Sequence, residues 1–317
     1  MISGNNMENS RMEGIKVSVV VPVYNGAETI TELFERIRKV FTELSTPFQV
    51  VFVEDCGKDN SWEVLCNLKA QYPAEITAIK LNRNFGQHNA TMCGLEHADG
   101  DVMVTIDDDL QIFPEDIPLL VKRHLETGAE LVYGSYGEKN HNSFRNLGSL
   151  WVNKTLNIAF GTKGSITSFR LITRNLRNNI IQHRQSFVFL DGLFNWHTSH
   201  IEKVPVRHQS RMAGSSGYTI WKLISLSSNM LFNFTTIPLK SLIYIGLFIS
   251  LLSFLSGFYF ILRKIIFDVP VGFTSIIVSI FFMGGLTLLV LGVIGEYIGR
   301  LYTLQNSKPQ HSVKEIL

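Results

Sequence analysis

DVMVTIDDDLQIFPED, residues 101–116, runs from an apolar stretch into three consecutive carboxylates, and two more follow within seven residues. Adjacent like charges repel, so such a cluster calls for a cation or a reaction that uses it. The apolar start reads as a buried strand, and the cluster begins at its carboxyl end. Asp107 and Asp109, two apart where strand gives way to turn, can converge on one hard divalent ion. Oxygen ligands suit Mg2+ or Mn2+, which keep further positions for substrate phosphates. A solvated acidic turn is the plainer use of the same pattern. Asp108 need only be tolerated between them, while Glu115 and Asp116 follow Pro114 and read as the opening of a helix, where its dipole favours them.

Working outward, the same strand-then-polar pattern recurs upstream. KVSVVVPV (16–23) is a β-branched strand ended by Tyr24-Asn25-Gly26. TITELFERIRKVFTEL carries Leu33, Phe34, Ile37, Val40, Phe41 and Leu44 at helical spacing, with Thr29 or Thr31 as a candidate N-cap. FQVVFVED ends in CGKDNS before a helix over about 61–70, and ITAIKLN leads into RNFGQHNATMCGLEHA, a loop and then a helix. Strand and helix alternate three times, which predicts an α/β fold with a parallel sheet and right-handed crossovers. Ligands of open sheets sit beyond the carboxyl ends of the strands. Three such ends carry Tyr24-Asn25, Glu54-Asp55 and Asp107–Asp109, so polar residues gather at one edge. A carboxylate at 54 or 55 can accept from a base N–H or a ribose hydroxyl; its plainer use is a helix N-cap, for which Asp59 serves as well. Neither Gly-x-Gly-x-x-Gly nor a Walker lysine motif is present.

The net charge of +2 gives no reason to invoke DNA or RNA. Cys56, Cys66 and Cys93 lack zinc spacing and an even count, so they read as reduced thiols of a cytosol-facing domain. The histidines show no metal-ligand spacing, and His88, His97 and His124 read as surface residues. Residues 1–14 are polar, without the apolar core of a secretory signal, and read as a disordered lead-in.

The last third changes character. Ser241–Leu262 and Val269–Gly295 are uncharged runs of 22 and 27 residues, each exceeding the roughly 20 that cross a bilayer core. Buried core helices would carry a recurring polar face, and neither run does. Two transmembrane helices, about 238–262 and 269–295, are therefore expected as a hairpin, with a cytoplasmic tail at 301–317. Lys222, Lys240, Arg300, Lys308 and Lys314 outside, against Arg263 and Lys264 in the loop, place the main domain in the cytoplasm. Gly284-Gly285 makes a homo-oligomer plausible. Residues 216–236, with Trp221, suit an amphipathic helix at the membrane interface; a core helix is the alternative.

VSVVVPVYNGAETI, VEDCGKDNSW, LNRNFGQHNATMCGLEHADGD and TIDDDLQIFPED, in that order, resemble a family 2 glycosyltransferase with the GT-A fold. With the C-terminal spans, the chain is similar over about 16–300 to the polyisoprenyl-phosphate, dolichol-phosphate mannosyltransferase-like group. The resemblance implies a GT-A domain at 15–215 that takes a nucleotide-sugar donor. It places nucleotide binding at Pro22, Tyr24, Asn25, Glu54, Asp55, Arg83 and Asp107, with Asn84, Phe85 and Gly86 in the loop over the nucleotide. The usual Asp-Asp-Gly-Ser reads Glu-Asp-Cys-Gly here, which leaves open whether Glu54 or Asp55 meets the base. Asp107 and Asp109 match the metal motif, with Gln111 beside it; Arg211 and Tyr218 match a segment near the diphosphate and lipid phosphate. Arg207 precedes that segment, and Ser168 and Arg170 lie in the sugar-site loop SITSFR.

Displacing a nucleoside diphosphate requires stabilising it as it leaves, which a divalent ion and an arginine do electrostatically. A hydroxyl acceptor must also lose a proton, whereas a phosphate monoester, with a second pKa of about 6, is already largely a dianion. Some relatives have an acidic residue just before Phe-Arg, where this chain has Ser168. Its absence favours a phosphate acceptor. The expectation is an inverting transferase that moves a sugar onto a polyprenyl-phosphate carrier at the cytoplasmic membrane. Two alternatives stay open. One is a transferase extending a lipid-linked saccharide, with Asp191 as base unless that residue caps a helix or pairs with an arginine. The other is a catalytically silent membrane scaffold.

Overall fold

The computed structural model describes residues 14–136, 167–185, 188–209, 272–305 and 309–317, with scattered positions between 241 and 266. The expected lead-in over 1–13, the interfacial helix at 216–236, Arg211 and Tyr218 lie outside the described residues.

Strands β1 (Val17–Val23), β2 (Phe48–Glu54), β3 (Ile76–Leu81) and β4 (Val102–Thr105) alternate with helices α1 (Ile30–Glu43), α2 (Ser61–Gln71) and α3 (Gln87–His97). Helix α4 (Ile117–Thr127), β5 (Leu131–Ser135), β6 (Arg170–Thr173), α5 (Arg174–Ile180), α6 (Leu190–His197) and β7 (Ile201–Pro205) follow, then α7 (Phe273–Gln305) and β8 (Val313–Ile316). The strands form one sheet in the order β7-β5-β6-β4-β1-β2-β3-β8. β4, β1, β2 and β3 run parallel; β6 and β8 are antiparallel to their neighbours β4 and β3.

Burial explains why these segments became strands. All seven residues of β1 are buried, because helices cover both faces of a parallel sheet and leave no solvent side to alternate with. α1 buries Ile30, Leu33, Phe34, Ile37, Val40 and Phe41, the stripe its spacing predicted, while Leu44 is its half-buried C-cap. Each such side chain fully removed from water contributes about 1.5–3 kcal/mol. Gly94 lets α3 close onto the sheet: a methyl there would overlap Val20 and press on Val53. β4 stops at Thr105, two residues short of the acidic cluster, so the carboxylates stand on the turn beyond the strand.

The chain divides into two compact units. One contains the sheet and takes up the chain again at Ser307–Leu317, and the other holds Tyr218–Asn306 and Phe144–Gly161. The segment expected as a tail thus ends as a strand: β8 pairs Ile316 with Ile79 and Glu315 with Lys80. Gln310 Nε2 donates to the carbonyl of His183 (2.5 Å), and His311 Nε2 lies 3.3 Å from Glu96. In the second unit, α7 contains one stretch apolar enough to cross a membrane, Phe282–Gly299, none of it buried within the chain. The described positions between 241 and 266 are helical and expose Phe248, Leu251, Leu255 and Phe258.

Candidate active site

The carboxyl ends of β1, β2 and β4 meet, as an open parallel sheet requires. After β1 the chain turns through Asn25 at φ 55°, a left-handed conformation that asparagine tolerates better than most residues. Asn25 Oδ1 accepts from the amide of Lys58 (2.7 Å), so this expected nucleotide residue uses its side chain to hold the next loop. Two further non-glycine residues at these strand ends are left-handed, Cys56 after β2 (φ 54°) and Leu110 after the acidic cluster (φ 56°). Strained backbone of this kind gathers at functional sites.

Glu54 and Asp55 are both buried, but they do different work. Asp55 accepts from the amides of Phe85 (2.7 Å) and Gly86 (2.8 Å) and fixes the loop after β3. Burial pushes its pKa up, against those two bonds. Glu54 Oε1 accepts from Gly57 N (2.5 Å), while its Oε2 is buried without a partner among the described residues. A buried acceptor left without a donor is costly unless a ligand supplies one. Tyr24 exposes its ring at 49%, and Arg83 lies over the Phe85 ring at 4.6 Å, on the same edge.

In the acidic cluster, Asp107 accepts from Gln87 Nε2 (2.6 Å) and from Ser168 Oγ (2.6 Å). Burial raises its pKa, and the neighbouring Asp109 adds to the rise. Asp109 Oδ1 accepts from the amide of Gln111 (3.2 Å), so Gln111 enters the site through its backbone. Asp108 does more than sit between its neighbours. Its Oδ2 accepts from the amide of Tyr24 (3.1 Å), and Gly26 packs so close that a methyl there would overlap the carboxylate. Burial, then the flanking carboxylates, push Asp108 up to about 7. Glu115 and Asp116 also have partners that the sequence reading did not foresee. Glu115 pairs with Arg36 (2.7 Å), and Asp116 takes Arg207, in a 3-10 turn (Pro114–Asp116) that precedes α4.

Burial is the main reason the Asp107 and Asp108 carboxyls are raised, with the neighbouring carboxylates adding to it, and a divalent cation would offset the cost of holding that charge. Asp107 and Asp109 supply hard oxygen donors, and no cluster of three or more metal-ligating side chains exists among the described residues. Two carboxylates with the remaining positions left to phosphate oxygens and water suit Mg2+ or Mn2+ better than an all-protein cage. The residues fit.

Behind Asp107 lies a cavity of about 120 Å3. Arg170 and Asp191, both lining it, are 3% exposed and form an ion pair. Arg170 Nε also donates to Thr105 Oγ1 (3.3 Å), and Tyr133 Oη donates to Asp191 Oδ1 (2.9 Å). Asp191 stands in the first turn of α6 and pairs with an arginine, the structural use weighed against its role as base. Arg170 is turned inward to this partner. His88, read from sequence as a surface residue, lines the cavity instead, and its burial lowers its pKa to about 4. His97 and His124 are half-buried, each within 2.8 Å of a backbone carbonyl (Cys93 and Ala129). Sequence reasoning passed over Gln87 and Tyr133 and misplaced His88. The signal for Gln87 and His88 was available: they open α3 directly after Gly86, at the same sheet edge.

Arg207 reaches the site as part of a strap. Its backbone amide and guanidinium both bond to Asp116, Ile112 bridges His208, and Gln209 N donates to the carbonyl of Gln111 (2.9 Å). Gln209, the last described residue of this segment, lies beside the acidic turn, two positions before Arg211.

A mostly parallel α/β sheet with an aspartate pair beyond its central strands is the GT-A arrangement of nucleotide-sugar-dependent transferases. Residues 18–189 match Glycosyl transferase family 2, and the chain belongs to that family. The bactoprenol glucosyl transferase of Shigella phage SfII is 34% identical over 95% of this chain and 98% of its own. The undecaprenyl-phosphate 4-deoxy-4-formamido-L-arabinose transferase of Serratia proteamaculans is 33% identical over 97% and 96%. Among solved structures, mannosyl-3-phosphoglycerate synthase from Rubrobacter xylanophilus superposes with a TM-score of 0.51 at 17% identity, over 74% of this chain and 76% of that one. Glucosyl-3-phosphoglycerate synthase from Mycobacterium tuberculosis, in complex with Mn2+, UDP and phosphoglyceric acid, gives 0.50 at 19% identity, over 72% and 80%.

Proposed function

We propose that this protein transfers a sugar, with inversion, from a nucleoside-diphosphate sugar to a polyprenyl phosphate at the cytoplasmic face of the membrane. One observation carries the reading: the Asp107–Asp109 pair stands at the carboxyl edge of the sheet in a chain that aligns almost end to end with bactoprenol and undecaprenyl-phosphate transferases. Glu54, through its free Oε2, accepts a base N–H, with Tyr24 and Arg83 beside it. Asp107 and Asp109 hold Mg2+ or Mn2+, as suggested by a fold relative solved with Mn2+ and UDP. When bound, that ion neutralises the departing diphosphate. A phosphate oxygen of the acceptor attacks the anomeric carbon, and the bond from that carbon to the diphosphate oxygen breaks. No general base is needed, because the acceptor is already a dianion. Ser168 Oγ donates to Asp107 and orients it. Arg207 holds the strap, and Arg211 and Tyr218, which the family resemblance assigns to the diphosphate and lipid phosphate, bind them in this reading.

Chain topology supports a membrane hairpin. The chain leaves the sheet unit after Gly217 and rejoins it at Ser307, with β8 paired to β3, so any crossings between are even in number. α7 supplies one crossing, and the helical, apolar positions between 241 and 266 supply the return. A Cβ on Gly284, Gly285, Gly292, Gly295 or Gly299 would meet nothing within 4 Å, which leaves room for a second copy.

The test is full-length protein with Mn2+ or Mg2+, polyprenyl phosphate and a panel of nucleotide sugars. An acid-labile glycosyl-phosphoryl lipid is expected from at least one donor. Product on a lipid-linked saccharide but none on polyprenyl phosphate would overturn the phosphate acceptor.

A further inference from the structure

We propose that His88, in the cavity beside Asp107, selects the donor sugar by hydrogen-bonding a ring hydroxyl. The proposal rests on the donor reading above, in which the sugar lies against the Ser168–Arg170 loop that lines this cavity, and adds which side chain reads it. Placement is the first argument. Of the expected nucleotide residues, Asp107 and Pro22 line the cavity, but Glu54, Asp55, Tyr24, Asn25 and Arg83 do not. The space therefore adjoins the diphosphate end of the site and excludes the base end. A group attached to the far phosphate of the donor points there.

Lining chemistry is the second argument. The walls include an amide (Gln87), hydroxyls (Thr91, Thr167, Ser168), an imidazole (His88) and the Arg170–Asp191 pair. Such a wall suits a polyhydroxylated ring better than an apolar group. Most of these groups are already engaged: Gln87 and Ser168 with Asp107, Thr91 with the carbonyl of Gln87, and Thr167 with those of Gly134 and Phe169. His88 is the exception. Its ring stands edge-on to Phe189 at 5.5 Å, and no described residue hydrogen-bonds its nitrogens. Burial keeps it uncharged at neutral pH, against the pull of Asp191. A neutral imidazole offers one donor and one acceptor, as a sugar hydroxyl does. A site that hydrogen-bonds a substrate hydroxyl discriminates strongly against an analogue lacking it, because its own polar group is then left unpaired.

The experiment uses the full-length protein in lipid nanodiscs with Mn2+ and polyprenyl phosphate. The probes are UDP-glucose, UDP-galactose, UDP-N-acetylglucosamine and GDP-mannose, with free UDP and GDP as controls. His88→Phe keeps the ring packing and removes the hydrogen bonds, while His88→Gln restores a donor and an acceptor. For the preferred donor, His88→Phe is expected to raise KM about 10- to 100-fold, the range set by one buried polar group losing its partner. Preference over the other sugars should shrink, affinity for the free nucleoside diphosphate should stay within about twofold, and His88→Gln should recover part of the loss. The proposal is overturned if both variants keep the donor KM and the sugar preference of the unaltered protein. It is equally overturned if either variant loses the free nucleoside diphosphate as strongly as the nucleotide sugar, or fails to fold, since His88 would then support the site as a whole. Failure of the donor reading looks different: no nucleotide sugar binds or reacts with the unaltered protein, and both readings fall.

Discussion

Arg207 and Asp116, 91 residues apart, are joined three times: Arg207 N to Oδ2 at 2.8 Å, and Nε and Nη2 to Oδ1 at 2.9 and 2.6 Å. The arginine side chain is 60% exposed, so solvent screens the charge attraction, and the bond to the backbone amide matters most. Asp116→Ala is expected to cost about 1–3 kcal/mol by leaving that amide unpaired. It should also raise the Mn2+ concentration for half-maximal activity, because the strap it frees is bonded to Gln111. Arg207→Ala should do less of both. Thermal unfolding and a metal titration decide.

The three adjacent aspartates should respond differently. Asp107→Asn or Asp109→Asn removes a charge that faces the ion in the proposed site, and should lower kcat by about 10²–10³ with folding intact. Asp108→Asn keeps an oxygen for the Tyr24 amide and should cost less than about tenfold. Equal losses at all three positions would contradict this division.

Removing one partner of the buried Arg170–Asp191 pair strands the other charge. Arg170→Ala or Asp191→Ala should each destabilise by about 3–5 kcal/mol, whereas Arg170→Met with Asp191→Leu should cost less than either. Denaturant unfolding of the full chain measures this.

β8 is tethered partly through Glu96. Burial works to raise the pKa of this carboxyl, but the hydrogen bond and charge of His311 outweigh it and hold it below its ordinary 4.5. A depressed acid stabilises the fold above its unfolded pKa and loses that contribution as pH falls through the folded value. Amide protection in Val313–Ile316 should therefore hold at higher pH and drop below 4.5. In Glu96→Gln that drop should be absent.

The thiols should label in order of exposure. Cys56 is exposed, while Cys93 is buried with its thiol pushed up to about 12 by that burial. A maleimide at neutral pH should modify Cys56 in the native protein and reach Cys93 only on unfolding.

Much of this architecture was legible because it rests on local rules. Buried parallel strands read as short, mostly apolar runs rich in Val, Ile and Phe, as 17–23, 48–54 and 76–81 do. An amphipathic helix must repeat its apolar residues as α1 does. The polar residues after those strands had to share an edge, since parallel crossovers bring every carboxyl end to one side. The position of Asp107 and Asp109 at that edge followed from the same rule.

What the sequence left open depends on contacts between distant residues. Nothing local to Asp108 shows that it caps the Tyr24 turn across 84 positions, nor that Asp116 is taken by Arg207. Glu54 and Asp55 are neighbours of like charge, and only the placement of the Phe85–Gly86 amides satisfies one and leaves an oxygen of the other without a partner among the described residues. VKEI at 313–316 is too short and too polar to identify itself as a strand; it becomes one because β3 presents an unpaired edge. Periodicity and chain direction fixed the fold class and the edge that carries the site. Which carboxylates face a ligand and which are spent on the protein itself depended on long-range hydrogen bonds, which a linear pattern does not encode.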